Sequence, residues 1–174
     1  VPKRKEDVRD PVGITGWPKN KGRDGERTPM QWNAGMNAGF SNAKATWLPV
    51  APNYQTVNVS SEETDPNSLL NYYHALISLR RTNSQLRDGD FVMVDRNNNN
   101  VLSYVRKTSD GKAVLVALNF TPQQQKVSFD LSAAGVSGKH LKLLLASYEN
   151  AGGAAELKDI TLPAYGSYVG QVGQ

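Results

Sequence analysis

The first 63 residues carry six of the chain's nine prolines and all three of its tryptophans. They show neither a sustained 3.6-residue period nor an alternation of apolar side chains. A stretch of this length without regular structure does not suit the interior of an independent compact domain. It signals either disorder or functional loops laid over a scaffold. Trp17, Trp32, Phe40, Trp47 and Tyr54 favour the loops, because disordered segments are depleted in aromatics.

The pattern changes at Asp65. Asp65 followed by Pro66 reads as a helix start, since the carboxylate can accept from free amides and proline at the first position loses no needed bond. Leu69, Tyr73, Leu76, Ile77 and Arg80 then recur at the spacing of one helix face, which predicts a helix over 65–83 with that face buried. Arg80 and Arg81 suit its C-terminal dipole.

After about residue 87 the apolar period becomes two. The expected strands are 91–95, 101–107, 112–120, 125–131, 139–146, 157–162 and 166–172, punctuated by turn residues such as Asn97 to Asn100 and Ser109-Asp110-Gly111. Short strands with such spacing predict an antiparallel β-sandwich.

Composition narrows the chemistry. There is no cysteine, which excludes disulfides and thiolate metal sites and leaves the compartment open, and only two histidines, His74 and His140, so neither a metal site nor a cofactor is expected. Residues 1–86 hold 11 basic and 8 acidic side chains, and residues 87–174 hold 9 and 8. The basic groups Lys3, Arg4, Lys5 and Arg9 alternate with Glu6, Asp7 and Asp10, so no nucleic-acid-binding stripe forms. No apolar run approaches the roughly 20 residues of a membrane span.

The most informative residues are Gly22-Arg23-Asp24-Gly25-Glu26-Arg27-Thr28-Pro29-Met30-Gln31-Trp32. They are followed by Asn37-Ala38-Gly39-Phe40-Ser41, Trp47-Leu48-Pro49-Val50, Pro52-Asn53-Tyr54 and Asn58-Val59. This ordered series resembles the C-terminal part of the α-glucosidases and oligo-1,6-glucosidases of the α-amylase superfamily, glycoside hydrolase family 13. The resemblance spans residues 6–83 and extends in kind to the β-rich remainder.

It implies a mainly β chain: long loops and the last helix of an incomplete (β/α)8 barrel in residues 1–86, then a C-terminal antiparallel β-sandwich in 87–174. A whole barrel of roughly 250 residues does not fit in 174. The loops are then expected to form one wall of a pocket for an oligosaccharide substrate, with the missing barrel portion of the same protein as their partner. Neither nucleic acid nor a membrane is an expected partner.

By the same resemblance Arg23 matches an arginine that reaches the non-reducing glucose and pairs with an aspartate upstream of this chain. Its planar charged fork suits carboxylates and vicinal hydroxyls. The residues alone also allow an ion pair with Asp24 or Glu26, or a plain surface arginine. Arg27 either braces the loop through Asp24, Asp10 or backbone carbonyls, or makes a secondary sugar contact, and Asp24 reads as a loop brace. The tryptophans either stack on sugar rings or fasten the loops to the barrel.

Retaining glycosidases need two carboxyl groups about 5 Å apart. Nothing here matches the family's motifs for them, so no catalytic residue is assigned and the chain alone is expected to be inactive. Trehalose synthases and sucrose isomerases share the Arg-Thr-Pro-Met-Gln-Trp series, which leaves isomerisation beside hydrolysis. A non-catalytic carbohydrate-binding or scaffold module is the remaining reading.

Overall fold

The computed structural model describes residues 2–149 and 151–173. The chain divides into two compact units, Val1–Asn71 and Tyr72–Gln174.

The first unit is built of turns and short helices. Helix α1, Pro11–Gly16, starts where Asp10 accepts the Val12 amide at 3.0 Å with Pro11 at the first position. Helix α2, Val59–Thr64, is capped by Asn58, whose Oδ1 accepts from the Ser61 amide at 2.9 Å and whose Nδ2 donates to the Tyr54 carbonyl at 2.8 Å. The described residues of this unit also form three 3₁₀ turns, Lys5–Asp7, Asp24–Glu26 and Met36–Gly39. Asn37 and Ala38 both lie in the left-handed region, at φ 49° and 56°. Asn37 Nδ2 steadies this turn by donating to the carbonyls of Ser41 and Ala43.

Helix α3 runs Leu69–Thr82, four residues later than the Asp65-Pro66 signal predicts. Asp65 spends its carboxylate on the Asn67 amide. The start falls instead to Ser68, whose Oγ accepts from Asn71, and to Glu62, whose carboxylate accepts from Leu70. The buried face also differs from expectation. Leu69, Tyr73 and Ile77 are 66%, 57% and 55% exposed. The helix turns Leu79 inward instead, and the Tyr72 hydroxyl meets the Ser167 hydroxyl at 2.6 Å. Tyr72, Leu76, Leu79 and Asn83 form a second stripe at helical spacing, and periodicity alone does not rank two overlapping stripes.

After helix α4, Ser84–Asp88, the described residues form eight strands: β1 Asp90–Val94, β2 Val101–Lys107, β3 Ala113–Asn119, β4 Gln125–Val127, β5 His140–Ala146, β6 Ala154–Glu156, β7 Ile160–Leu162 and β8 Ser167–Gly173. Six form one antiparallel sheet in the order β1-β2-β3-β8-β5-β6, and β4 pairs with β7 in the other. The fold is mainly β, as the alternating pattern implies.

Two expected strands are shorter than their apolar residues suggest. Regular strand stops at Val127 and resumes at Ile160, although Phe129 and Leu131 stay buried and the Phe129 amide still donates to the Leu157 carbonyl at 2.8 Å. Strand β6 is additional; Ala-Ala-Glu offers no apolar alternation by which to detect it.

The sandwich core joins Val105, Leu115, Leu141 and Tyr168 of the large sheet with Val127, Ile160 and Leu162 of the small one. On the opposite face, Val114, Val116 and Val169 receive Leu79 and Leu86 of α3 and α4. Strand β3 is therefore covered on both sides, which explains its unbroken Ala-Val-Leu-Val-Ala-Leu run.

At the end of β3, buried Asn119 ties two loops together. Its Nδ2 donates to the Gln123 and Pro163 carbonyls, each at 2.7 Å, and its Oδ1 accepts from the Thr121 amide and hydroxyl. Asn119→Ala is expected to destabilise the protein by about 2–3 kcal/mol, because it removes four hydrogen bonds of a buried side chain and leaves the Thr121 amide without its partner. Urea unfolding of the two proteins measures it.

Candidate functional site

The Gly22–Arg27 motif forms a 3₁₀ turn that packs against the segment leading into α1. Its centre is an ion pair that the sequence motif does not announce. Arg23 Nε donates to Asp10 Oδ2 at 2.8 Å, Arg23 Nη2 donates to Oδ1 at 3.2 Å, and the Arg23 amide donates to Oδ2 at 2.9 Å. Asp24 and Glu26, the partners that proximity suggests, do not take the guanidinium. Neighbours in a tight turn point apart, whereas Asp10 approaches from the N-cap of α1.

The Asp10 side chain is only 1% exposed, while that of Arg23 is 49% exposed. The Arg23 guanidinium, helped by the Val12 and Arg23 amides, holds the Asp10 carboxyl far below the usual carboxylate range. A depressed carboxylate pKa gives stability that is present above the unfolded value of about 3.9 and lost as pH falls through the folded one. The pair therefore stays ionised through mild acid.

Glycine makes this approach possible. Gly22 has φ +72°, and a Cβ there would lie 2.9 Å from both Asp10 Cβ and the Gly13 nitrogen. Gly22→Ala is expected to cost about 2 kcal/mol through steric contact and left-handed strain, and to separate Arg23 from Asp10. Denaturant unfolding of the variant reads the stability change.

Asp24 is buried, and its carboxylate accepts the Arg9 amide at 2.6 Å. Arg27 is exposed, and among the described residues its guanidinium makes no hydrogen bond or ion pair. Trp47 is 80% exposed, with the Arg9 guanidinium 5.8 Å above its ring, and Lys21 stands 5.5 Å over Trp17. A cleft of about 770 Å³ in the same unit is lined by Asp24, Asn37, Lys44 and Trp47 among others; Arg23 and Arg27 do not line it. Glu62, a tempting partner for Glu63 as a carboxylate pair, is occupied by the Leu70 amide.

Asp10 is the residue that sequence reasoning assigns differently, as one possible brace for Arg27. The signal available for it was Asp-Pro as a helix start, thirteen positions before Arg23, and that spacing carries no partner information.

Residues 2–89 match the model of the α-amylase catalytic domain, and residues 91–169 match that of the maltogenic amylase C-terminal domain. The chain belongs to the α-amylase superfamily. Within the α-amylase superfamily it is 38% identical over 130 residues to a probable oligo-1,6-glucosidase 2 of Bacillus subtilis (strain 168), covering 75% of this chain and 22% of that protein. It is 36% identical over 149 residues to the oligo-1,6-glucosidase of Bacillus cereus, covering 86% and 25%.

Among solved structures, the trehalulose synthase MutB from Pseudomonas mesoacidophila superposes with a TM-score of 0.82 at 29% identity, covering 99% of this chain and 33% of that one. The isomaltulose synthase of Klebsiella sp. LX3 superposes at 0.75 with 27% identity, covering 87% and 26%. The chain thus spans about a quarter of the length of its curated relatives. No helix among the described residues is long and apolar enough to cross a membrane.

Proposed function

We propose that this chain is the C-terminal part of a retaining α-glucosidase that releases terminal α-linked glucose from oligosaccharides. In this reading residues 1–86 end the catalytic barrel domain and residues 87–174 form its C-terminal sandwich. Arg23 contacts the terminal sugar. Asp24 braces the loop, and Arg27 is a secondary sugar contact at most.

The observation that carries the reading is Arg23 itself. It is a half-exposed guanidinium held on one edge by Asp10 and, among the described residues, unengaged on the other, in a segment that matches the catalytic-domain model. Such a group binds and orients hydroxyls, which aids positioning and breaks no bond. In this reading the bond-breaking acids come from the preceding part of the enzyme; of the neighbouring carboxylates in this chain, Asp24 and Glu62 each accept a backbone amide. The exposed Leu69, Tyr73 and Ile77 stripe supports a covering barrel.

Assaying the purified 174-residue chain beside the longer enzyme that carries it tests the proposal. The chain is expected to be inactive, and the longer enzyme to release glucose from maltose or isomaltose. Turnover of a chromogenic glucoside by the chain alone overturns the reading. The likeness to a trehalulose synthase and an isomaltulose synthase favours isomerisation as a second reading. Product analysis on sucrose separates them: hydrolysis gives glucose and fructose, isomerisation a new disaccharide.

A further inference from the structure

An arginine that binds sugar through one edge is useful only if that edge faces a fixed direction, so the group that sets the direction belongs to the same machinery. We propose that Asp10 is the positioning residue for Arg23. It takes the guanidinium by its Nε and Nη2 edge and leaves Nη1 with the outer Nη2 hydrogen as the edge that meets ligand. The inference rests on the reading of Arg23 as the sugar contact.

The geometry supports this assignment over a simple surface ion pair. Both Asp10 oxygens are filled: Oδ1 by the Val12 amide at 3.0 Å and Arg23 Nη2 at 3.2 Å, Oδ2 by the Arg23 amide at 2.9 Å and Nε at 2.8 Å. Three of the four bonds come from one residue, and they fix its backbone and its side-chain plane together. A guanidinium has five N–H groups, and Asp10 uses two, so three stay available for hydroxyls or a carboxylate. The carboxylate is buried while the guanidinium is half exposed, which is the burial order of an anchor and a presented group.

Capping of α1 does not by itself require the charge, because asparagine and serine serve at this position as well. Asparagine has one acceptor oxygen. If that oxygen keeps the cap, its amide faces the Arg23 donors, and the fork is lost. Asp10→Asn and Asp10→Ser therefore separate the two tasks of the residue.

The test has two arms. In the isolated chain, nitrogen-15 NMR of the arginine side chains is expected to show the Arg23 Nε–H exchanging with water at least tenfold more slowly than that of exposed Arg27. Asp10→Asn and Asp10→Ser should erase the difference while the amide spectrum of residues 87–174 is retained. Unchanged protection of Nε–H in both variants overturns the proposal.

In the longer enzyme, Asp10→Asn is expected to lower kcat/KM for maltose by roughly tenfold, chiefly through KM. Added to Arg23→Ala it should lower it no further, since the two residues act as one unit. Losses that multiply assign Asp10 a structural role and overturn the proposal. If Arg23→Ala leaves kcat/KM unchanged, the sugar-contact reading fails, and the NMR arm still reports whether Asp10 holds the side chain.

Discussion

Arg23→Ala in the longer enzyme is expected to lower kcat/KM for maltose or isomaltose by roughly 100- to 1,000-fold. Hydrogen bonds from a charged donor contribute about 1.5–3 kcal/mol each, and two such bonds to sugar hydroxyls, reduced for partial exposure, give about 3–4 kcal/mol. Each 1.36 kcal/mol is about a factor of ten in rate. Arg23→Lys should fall between, because an ammonium keeps the charge but not the fork that Asp10 holds.

Arg27→Ala supplies the contrast. Its guanidinium is exposed, so the expected change is within about threefold, the scale of a weak surface interaction. Steady-state kinetics of the three variants decides the matter. An Arg23→Ala enzyme within threefold of the parent removes Arg23 from the sugar site.

What the sequence discloses about this molecule follows the range of the forces involved. The strands that alternate cleanly, such as β2 with Val101, Ser103 and Val105 inward, are legible because burial on one face imposes the period. Strand β6 and the true start of α3 are not. The first is held by pairing with β5 and by the contact of Ala155 with the core, and the second is set by Glu62 and Ser68 outcompeting Asp65 for the free amides. Local chemistry at Asp65 is correct in kind, since its carboxylate does cap a turn, but the tertiary partner settles where the helix begins.

The site divides in the same way. Arg23 stands out by its motif, while Asp10 does not, because a contact across thirteen residues depends on Gly22 and Gly13 letting two backbones approach. The orientation of α3 is a third case. Leu69, Tyr73 and Ile77 form an apolar stripe, yet the sheet of this chain meets Leu79 instead.

Leu115→Ala tests which of these faces carries the stability of the second unit. Leu115 is fully buried at the middle of β3, opposite Val105 on β2 and Gly170 on β8. The glycine does not leave slack. A Cβ at Gly170 would lie 2.7 Å from the Tyr168 ring and 3.2 Å from Leu141, so the space around Leu115 is already filled by side chains in fixed positions. A site that cannot collapse keeps its cavity, and the expected loss is about 3–4 kcal/mol.

Ile77→Ala removes a similar side chain from an exposed position and should cost less than about 0.5 kcal/mol in this chain. Urea unfolding followed by near-ultraviolet signals of the second unit reads both. A Leu115→Ala loss below about 1 kcal/mol means that the sandwich core is not organised by β3. An Ile77→Ala loss equal to that of Leu115→Ala means that the stripe on α3 is covered in solution by another surface.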